Sequence, residues 1–452
     1  MTETFDLILT GGTVVLPGRT VRADVGVRGP HVAAIGALDP GHAAQVVDCA
    51  GLHVLPGVID TQVHFREPGL EHKEDLESGT RAAVLGGVCG VFEMPNTTPP
   101  TDSLAALKDK LARARARAWC DHAFYLGAGA DNADALGGWE RAPGCCGIKV
   151  FMGSSTGTLL VEDDDVLRRV LTSGIRRVAV HCEDEARLRE RRALVAEGAP
   201  VAAHAEWRDA ETARRATARL LTLARETGRK VHVLHVTTAE EMALLQAYRD
   251  IASVEVTPQH LTLAAPEAYE TLGTLAQMNP PIRDARHRAA LWTALDQGIV
   301  DVIGSDHAPH TREEKARPYP ASPSGMPGVQ TLVPVMLDHV HAGRLSLERF
   351  VDLTSAGPAR LFDIAGKGRV AVGFDADLTV VDLSARREIT DAWSASRCGW
   401  TPFNGHTVTG WPVMTVIRGH VVMREGELQG APLGAPMRFH PLPPAPAEGS
   451  LA

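Results

Sequence analysis

Hydrophobic and polar positions alternate at short intervals in the first part of the chain. Runs of this kind occur up to about residue 54 and are separated by glycine-rich turns such as Gly11-Gly12. The runs are 5–9, 13–16, 25–27 and 32–35. Because strands with one buried face alternate in this way, the N-terminal part predicts a small all-β unit.

From about residue 55, longer apolar and β-branched runs alternate with segments of helical periodicity. One helix is predicted after Ser103, an N-cap residue ahead of apolar positions on one helix face, and another at the capping-box pattern 237–240. The apolar runs are 55–63, 88–94, 122–126, 148–151, 177–180, 231–236, 251–256 and 299–303. Eight buried strands alternating with helices predict an α/β fold, a closed (β/α)8 TIM-like barrel of parallel strands.

Strand-like alternation returns after the predicted barrel, at 378–382 and 415–424. We therefore expect the two chain ends to pair into one composite β-sandwich domain formed by 1–54 and 366–430. The barrel would occupy 55–365. The remaining segment, 431–452, is rich in Pro, Ala and Gly and predicts a loosely ordered tail.

Polar residues mark the ends of five of the predicted barrel strands, which is where such barrels carry their chemistry. In the first strand, a period of two puts Asp60, Gln62 and His64 on one face. The other four strands supply Lys149, His181, His235 and Asp306. Each has an ordinary explanation by itself, such as a structural histidine, an ion-paired lysine or a capping aspartate. Their joint occurrence at one rim points to a metal or catalytic site.

Composition and charge narrow the class of ligand. Lys+Arg 46 against Asp+Glu 55 gives a net charge of −9 without a basic stripe, so we expect a small-molecule substrate and no nucleic acid. The 7 cysteines show no CxxC spacing, which argues against a disulfide framework or a thiolate zinc site. With 19 histidines available, a bound metal should have nitrogen and oxygen ligands. No leader or membrane-spanning run is visible, so we expect a cytoplasmic protein with no membrane contact.

At these residues the chain resembles the cyclic amidohydrolases, and among them the dihydroorotases, over nearly all of 1–430. Five segments carry the resemblance by their order and spacing. They are 63–69 (Val-His-Phe-Arg-Glu-Pro-Gly), 94–97 (Met-Pro-Asn-Thr), 279–283 (Asn-Pro-Pro-Ile-Arg), 304–310 (Gly-Ser-Asp-His-Ala-Pro-His) and 373–378 (Gly-Phe-Asp-Ala-Asp-Leu). The resemblance implies a barrel with a β domain built from both chain ends, in agreement with the hydrophobic pattern.

The resemblance also implies one or two zinc ions per chain. The implied metal ligands are His64, Lys149, His181, His235 and Asp306, with Lys149 carboxylated in some members of the family. A carbamate would replace a buried cation with an anion that can bridge two metals. The metals would activate a water and polarise the scissile carbonyl. Asp306 would be the catalytic residue that shuttles the proton to the leaving nitrogen.

Substrate binding is assigned by the resemblance to four residues, which are Arg66, Asn96, Asn279 and His310. Dihydroorotate carries a carboxylate, and an arginine on the rim is suited to a bidentate grip on it. Asn96 and His310 would complete this grip, and Asn279 would contact the pyrimidine ring. Hydantoins and dihydropyrimidines lack this carboxylate, and their hydrolases do not usually combine the 64–69 and 94–97 motifs. An alternative for Arg66 is an ion pair with Glu67 or Glu71.

One position departs from the family pattern. Most members read Asp-x-His-x-His in the first strand, whereas this chain has Gln62 in place of the first histidine. Glutamine offers zinc only a neutral carbonyl oxygen, so it is a weak or lost ligand. The metal position served by His64, Lys149 and Asp306 should be weaker or empty, whereas the one formed by Lys149, His181 and His235 has all its ligands. A single-metal enzyme, a two-metal enzyme with one loose ion and a silent homologue all stay open.

The resemblance implies reversible, metal-dependent hydrolysis of L-dihydroorotate to N-carbamoyl-L-aspartate in pyrimidine synthesis. A hydantoinase, dihydropyrimidinase or allantoinase is the alternative within the same class. A different class is a catalytically silent subunit that binds a partner enzyme such as aspartate carbamoyltransferase, with Gln62 as its only support. We also expect a homo-oligomer, of which a dimer is one form.

Overall fold

The structure is a computed structural model that describes residues 4–155 and 157–442. Short strands form the N-terminal part, as the alternation predicts. They are β1 (Phe5–Thr10), β2 (Thr13–Leu16), β3 (Arg19–Arg22), β4 (Asp24–Arg28), β5 (His31–Gly36), β6 (Ala43–Asp48) and β7 (His53–Pro56). The sequence pattern missed β3 and β6 because most of their side chains are exposed and neither strand alternates regularly between apolar and polar residues.

Eight parallel strands follow and form the predicted barrel, which is confirmed. They are β8 (Val58–Val63), β9 (Val88–Glu93), β10 (Asp121–Gly127), β11 (Cys145–Phe151), β12 (Val178–His181), β13 (Val231–Val233), β14 (Ala252–Val256) and β15 (Val302–Ile303). Each strand pairs with the next in chain order. A parallel bridge between Val63 and His307 joins the last strand to the first, and His64 N donates to His307 O at 2.7 Å. The closed ring directs the C-terminal strand ends toward one rim.

Helices connect the barrel strands and share one continuous apolar core with them. The α-helices are α1 (Leu76–Leu85), α2 (Leu104–Ala114), α3 (Leu136–Trp139), α4 (Asp164–Thr172), α5 (Glu185–Glu190), α6 (Ala203–Trp207), α7 (Ala210–Thr227), α8 (Ala239–Gln246), α9 (Pro258–Thr262), α10 (Glu267–Leu272), α11 (Ala285–Asp296), α12 (Arg312–Lys315), α13 (Leu332–His341), α14 (Leu347–Val351) and α15 (Gly357–Leu361). Single turns of 3-10 helix occur at Pro40–His42, Arg192–Val195, Gly273–Ala276 and Asp391–Trp393, and a π-helical turn at Asp352–Ala356. None of the helices in the described part of the chain has the length and hydrophobicity of a membrane-spanning segment.

The helix starts agree with the capping signals, with one shift. Ser103 caps α2 by accepting a hydrogen bond from Ala106 N, as predicted. At α8 the cap is Thr238, which accepts from Glu241 N, so the helix begins one residue later than the 237–240 pattern indicates. Thr237 instead accepts a hydrogen bond from the Arg283 guanidinium, which makes it unavailable as a cap.

Strands from the C-terminal part complete the β domain. They are β16 (Leu378–Glu388), β17 (Thr407–Ile417), β18 (His420–Arg424) and β19 (Glu427–Leu428). β16 pairs with β7, and β7 pairs with β2, so both chain ends contribute to one seven-stranded sheet. A four-stranded sheet of β5, β4, β1 and β6 packs on it through residues such as Leu9, Val27, Val380 and Val416. The predicted composite architecture is therefore confirmed.

The predicted boundary between residues 54 and 55 falls inside β7 and needs correction. The single apolar run 55–63 divides at Gly57 into the end of β7 and the start of β8, and Gly57 N donates to Asp377 O. A side chain at position 57 would lie within 2.9 Å of Cys89 and Asp377, so the crossing between domains requires glycine. The boundary at 365/366 stays a prediction.

The prediction of a loosely ordered tail is wrong for 431–442. His122 N donates to Ala435 O and Met437 N donates to His122 O, so this segment adds to the barrel beside β10. Met437 and Phe439 pack with Phe92 and Phe362 in a buried cluster, which explains why a Pro-rich segment is ordered here. Residues 443–452 lie outside the described part of the chain.

A buried ion cluster ties the barrel to the C-terminal part. Lys367 Nζ donates to Asp121 Oδ2 in β10 at 2.8 Å and to Asp377 just before β16. Asp375 Oδ2 lies 3.2 Å from the same ammonium, and Arg418 contacts Asp121. All three carboxylates are at least nine-tenths buried, so the cation at position 367 compensates their mutual repulsion.

Candidate active site

One cavity at the C-terminal rim of the barrel brings together almost all of the predicted site residues. It encloses about 350 Å³. Its lining consists of Gln62, His64, Arg66, Asn96, Lys149, Phe151, Ser155, His181, His235, Asn279, Asp306, Ala308, Ser324 and Gly325. Of the ten predicted residues, His310 alone is not part of the described lining.

His64 and Asp306 form the first of two ligand pairs in the cavity. His64 Nδ1 donates to Asn96 Oδ1 at 2.7 Å, since an amide oxygen can only accept. The lone pair of His64 Nε2 therefore faces Asp306 Oδ1, 3.2 Å away. Burial lowers the pKa of His64 well below its usual value, so the imidazole is neutral and suited to bind a metal.

Gln62 faces the same aspartate through its amide nitrogen. Its Nε2 donates to Asp306 Oδ1 at 2.9 Å, and its Oε1 is buried without a hydrogen-bond partner among the described residues. This orientation follows from the carboxylate, which accepts a hydrogen bond from an amide NH2 but repels an amide oxygen. In this arrangement Gln62 orients Asp306.

His181 and His235 form the second pair. His181 Nε2 donates to the buried Glu183 at 2.8 Å, which fixes the tautomer and leaves the Nδ1 lone pair 3.1 Å from His235 Nε2. Arg208 donates to the same carboxylate oxygen, Glu183 Oε2. Burial raises the pKa of Glu183, but the Arg208 charge and the His181 hydrogen bond outweigh it and lower the pKa to about 2. The carboxylate is thus held ionised behind His181.

Lys149 lies between the two pairs and is 1% exposed. Its Nζ is 4.4 Å from the centre of the Phe151 ring, and no carboxylate in the described structure lies within 4.0 Å of it. Burial lowers the pKa of Lys149 and raises that of Asp306, because neither charge is well solvated. The ion pair considered as the ordinary explanation for Lys149 is therefore not formed as a direct contact.

The spacing within each pair suits a metal ion. Two ligands of one tetrahedral zinc lie about 3.3 Å apart for metal–ligand distances of about 2.0–2.1 Å. The observed separations, 3.1 Å for the two histidines and 3.2 Å for His64 with Asp306, are close to this value. Over 4–155 and 157–442, no three His, Cys, Asp or Glu side chains form a metal-binding group. Lys149 lines the same cavity as both pairs and would be a ligand to a metal there only in a form without the ammonium charge, such as the carboxylated one.

Arg66 projects a buried guanidinium into the cavity. Its Nε donates to Pro309 O at 3.1 Å, and no described carboxylate lies within 4.0 Å of it. The alternative pairing with Glu67 or Glu71 is wrong. Glu67 accepts from Arg117 at 2.7 Å and from Leu76 N, and Glu71 accepts from Gly69 N at 2.9 Å. The carboxylates nearest in sequence therefore leave Arg66 available.

His310 lies beside Arg66, outside the described lining of the cavity. Its Nε2 donates to Ser324 O at 3.0 Å and is 3.4 Å from Arg66 Nη2, and its Nδ1 accepts from Lys73 Nζ at 3.1 Å. Burial lowers the pKa of His310 to about 3, so the ring is neutral. Both ring nitrogens are engaged with the protein.

The part of the cavity wall around Asn279 contains residues that the sequence reasoning missed. Asn279 Oδ1 is 2.9 Å from His204 Nε2, and Asn279 Nδ2 is 3.4 Å from Ser155 Oγ. Ser155 and Ser324 line the cavity from loops after β11 and α12. Single serines in loops carry no periodic signal, and Ser324 lies fourteen residues after His310, outside the segments that carry the family resemblance.

Three site residues adopt backbone conformations that side chains other than glycine rarely take. Their φ angles are 65° for Arg66, 37° for His235 and 46° for Asp306. Left-handed conformations of this kind cost about 1–3 kcal/mol each and tend to occur at functional sites. At each of the three positions the chain has just left a barrel strand, and the turn directs the side chain into the cavity.

Comparisons with known proteins agree with this geometry. The Amidohydrolase family model matches residues 53–422. The chain is 38% identical over 428 residues to the dihydroorotase of Halobacterium salinarum, covering 92% of this chain and 95% of that protein. It is 36% identical over 451 residues to an allantoinase of Rubrobacter xylanophilus, covering 95% and 97%. The structure of the L-hydantoinase (dihydropyrimidinase) from Arthrobacter aurescens superimposes with a TM-score of 0.89 at 30% identity, covering 95% and 98%.

Proposed function

Because the chain belongs to the amidohydrolase family, we propose that it is a dihydroorotase that reversibly hydrolyses the cyclic amide of L-dihydroorotate to N-carbamoyl-L-aspartate. Enzymes of this family are generally metal-dependent hydrolases, and relatives named dihydroorotase match almost the whole chain. We extend the proposal to de novo pyrimidine synthesis in the cytoplasm. All seven cysteines are free and buried, as expected of a protein from a reducing compartment.

The observation that carries the proposal is the position of Arg66. A buried guanidinium that lacks a carboxylate partner and faces the metal-ligand candidates is costly unless an anion binds beside it. Dihydroorotate has a carboxylate on its ring, whereas hydantoin and dihydrouracil have none. Asn96 and Asn279 line the same cavity, where they would bind the carboxylate and the ring of the substrate. The charge of Arg66 therefore favours an anionic cyclic amide.

We propose zinc as the metal, in one or two ions. His181 and His235 with carboxylated Lys149 would hold the stronger ion, and His64 and Asp306 with the same lysine would hold the weaker one. A divalent ion bound here supplies Lewis-acid polarisation of the amide carbonyl and activation of the attacking water. The fit rests on nitrogen and oxygen donors at the spacing described above and on the lowered pKa of Lys149, which increases the neutral amine that reacts with carbon dioxide.

Asp306 is the proposed proton carrier. Hydrolysis breaks the bond between the ring nitrogen and its carbonyl carbon, and the nitrogen leaves as an amide that needs a proton. Burial raises the pKa of Asp306, so its carboxyl group can take a proton from water and release it to nitrogen near neutral pH. The Gln62 amide donates to Oδ1 of this carboxyl group and so orients it in the cavity.

The proposal is tested by turnover of a matched pair of substrates. Zinc-loaded protein should open L-dihydroorotate at a much higher kcat/KM than dihydrouracil, which differs mainly in lacking the carboxylate. Asp306→Ala should abolish this activity, whereas Asp296→Asn, on the exposed end of α11, should leave it intact. Zinc content is measured on the same samples.

Two results would overturn the proposal. Hydrolysis of a hydantoin or of allantoin without any hydrolysis of dihydroorotate would assign the chain to those other cyclic amidohydrolases, as the allantoinase and hydantoinase relatives suggest. No turnover of any cyclic amide by the zinc-loaded protein would leave a silent subunit, whose association with aspartate carbamoyltransferase can then be measured. The expected homo-oligomer, including a dimer, is tested by light scattering.

A further inference from the structure

A second buried cation lies beside the proposed substrate site. Lys315, the last residue of α12, is fully buried. Its Nζ donates to the carbonyl oxygens of Gln277 at 3.0 Å, Pro323 at 2.9 Å and Gly325 at 3.0 Å. An ammonium group has three N–H bonds, so these three acceptors use all of them.

The three carbonyls belong to two segments that border the cavity. Gln277 precedes Asn279 by two residues, and Pro323 and Gly325 flank Ser324. Asn279, Ser324 and Gly325 all line the cavity. The two segments also meet directly, because Gly325 N donates to Gln277 O at 2.9 Å and the Gln277 amide donates to Ser324 Oγ at 3.0 Å. Lys315 therefore links the two segments, 277–279 and 323–325, that form one wall of the cavity.

A structural lysine of the ordinary kind explains this arrangement poorly. The carbonyls that Lys315 binds are not those of its own helix, and no described carboxylate lies within 4.0 Å of its Nζ. The Trp400 ring, 5.9 Å from Nζ, covers the group from outside. Burial alone lowers the pKa of Lys315 to about 7, so the fold bears the cost of a buried charge here without an ion pair to offset it.

The charge has neighbours of the same sign. His310 lies between Arg66 and Lys73, and its pKa is lowered in part by the charges of Arg66, Lys73 and Lys315. Glu314 is the acid that contacts this group, at 3.2 Å from Lys73. Arg66 is also within reach of the charges of Asp306 and Glu93, so the cations and carboxylates of this region are otherwise balanced, and the charge of Lys315 shifts its potential toward positive, which favours an anion over a neutral ligand.

We propose that Lys315 is a positioning residue that holds the Asn279 and Ser324 wall in place and adds positive potential for an anionic cyclic amide. It acts through the backbone carbonyls and does not touch the substrate. The inference deepens the proposed function, on which its substrate part rests. The part that concerns the wall is independent of which amide is hydrolysed.

The test compares the zinc-loaded wild type with Lys315→Met, which keeps the length of the side chain and removes the donors. We expect KM for dihydroorotate to rise about tenfold or more, as for the loss of a charged interaction, while kcat changes by less than about threefold. Amide hydrogen exchange in peptides that cover 277–279 and 322–325 should become at least about tenfold faster. The zinc content should equal that of the wild type.

The matched control is Arg229→Met. Arg229 is also a buried cation, but it pairs with Glu140 at 2.7 Å and precedes β13, at the end of the barrel opposite the cavity. This variant should lose stability without any change in KM or in exchange at 277–279 and 322–325. The control therefore distinguishes the general effect of losing a buried charge from the specific effect of losing the hydrogen bonds of Lys315 to the cavity wall.

The exchange and kinetic measurements test separate parts of the proposal. Unchanged hydrogen exchange in both segments of Lys315→Met would overturn the claim that Lys315 holds this wall in place, whatever the substrate. Faster exchange with KM unchanged would overturn the role in substrate positioning. If the wild type does not hydrolyse dihydroorotate at all, the proposed function fails, and the exchange measurement still decides whether Lys315 holds the wall.

Discussion

Replacing Arg66 with methionine is expected to weaken substrate binding and to stabilise the fold at the same time. The side chain is 1% exposed, and methionine matches its length without the charge. Within the described structure, Arg66 has one hydrogen bond to a carbonyl, Pro309 O, and no carboxylate within 4.0 Å. The substitution therefore removes a buried charge that forms no direct ion pair with the protein.

The gain in stability can be worked out from the pKa. Burial lowers the pKa of Arg66 to about 10, which is roughly 2.5 below the ordinary value for arginine. At about 1.36 kcal/mol per unit, the folded state disfavours the charged form by about 3 kcal/mol. Losing the hydrogen bond to Pro309 O costs about 1 kcal/mol of stability, so the free energy of unfolding should rise by about 2 kcal/mol in total. Because the folded pKa is the lower one, this gain is complete below pH 10 and disappears as the pH rises toward 12.5.

The loss of binding comes from the substrate carboxylate. A hydrogen bond to a charged group contributes about 1.5–3 kcal/mol, so kcat/KM for dihydroorotate should fall about 10- to 150-fold. The value for dihydrouracil should stay within about threefold. Steady-state kinetics and urea unfolding of the zinc-loaded protein near neutral pH measure both effects.

Arg117→Met is the matched control, since its guanidinium binds Glu67 at 2.7 Å outside the cavity lining. It should neither stabilise the fold nor change kcat/KM by more than about threefold. If Arg66→Met unfolds at lower urea than the wild type and keeps its kcat/KM for dihydroorotate, Arg66 is a structural residue and the reasoning is wrong.

Three further substitutions test other parts of the structure. Gln62→His should raise the zinc content from about one ion per chain toward two by mass spectrometry, and an unchanged content would contradict our account of position 62. Glu183→Gln should lower zinc affinity about 10- to 100-fold in a chelator titration. It should also lower stability at neutral pH, and this difference should vanish as the pH falls from 4.5 to about 2, where the native carboxyl group becomes protonated. Lys367→Met should lower the free energy of unfolding by about 3–5 kcal/mol, because three buried carboxylates lose their shared cation.

The barrel could be predicted from the sequence because its strands are buried on both faces and read as apolar runs. The strand boundaries predicted from these runs were less accurate. Gly57 lies inside one apolar run and still separates two domains, because the reason for the break is a contact with Asp377, more than 300 residues away. Likewise, the order in 431–442 depends on contacts with His122 and Phe92, which no local composition reveals.

The candidate site was predictable where residues occupy strand ends, because topology alone brings those positions to one rim. His64, Lys149, His181, His235 and Asp306 all reached the same cavity on this ground. The wall around Asn279 was predictable only at Asn279 itself, through the family resemblance, because the rest of it is made by loops whose path depends on contacts between residues far apart in the sequence. Ser155 and Ser324 are ordinary loop serines until the contacts of His204, Asn279 and Lys315 bring them together.

Buried cations differ in this fold in whether they form an ion pair. Several that lie away from the cavity are paired, as Lys110 is with Glu93, Arg229 with Glu140 and Lys367 with Asp121, whereas the buried Arg283 binds a hydroxyl and a backbone carbonyl instead. Around the cavity, Arg66 and Lys315 have no carboxylate within 4.0 Å among the described residues, although each is fully buried. Stability alone would favour apolar side chains at both positions. The protein bears this cost at one end of one cavity, which is where an anionic substrate would offset it.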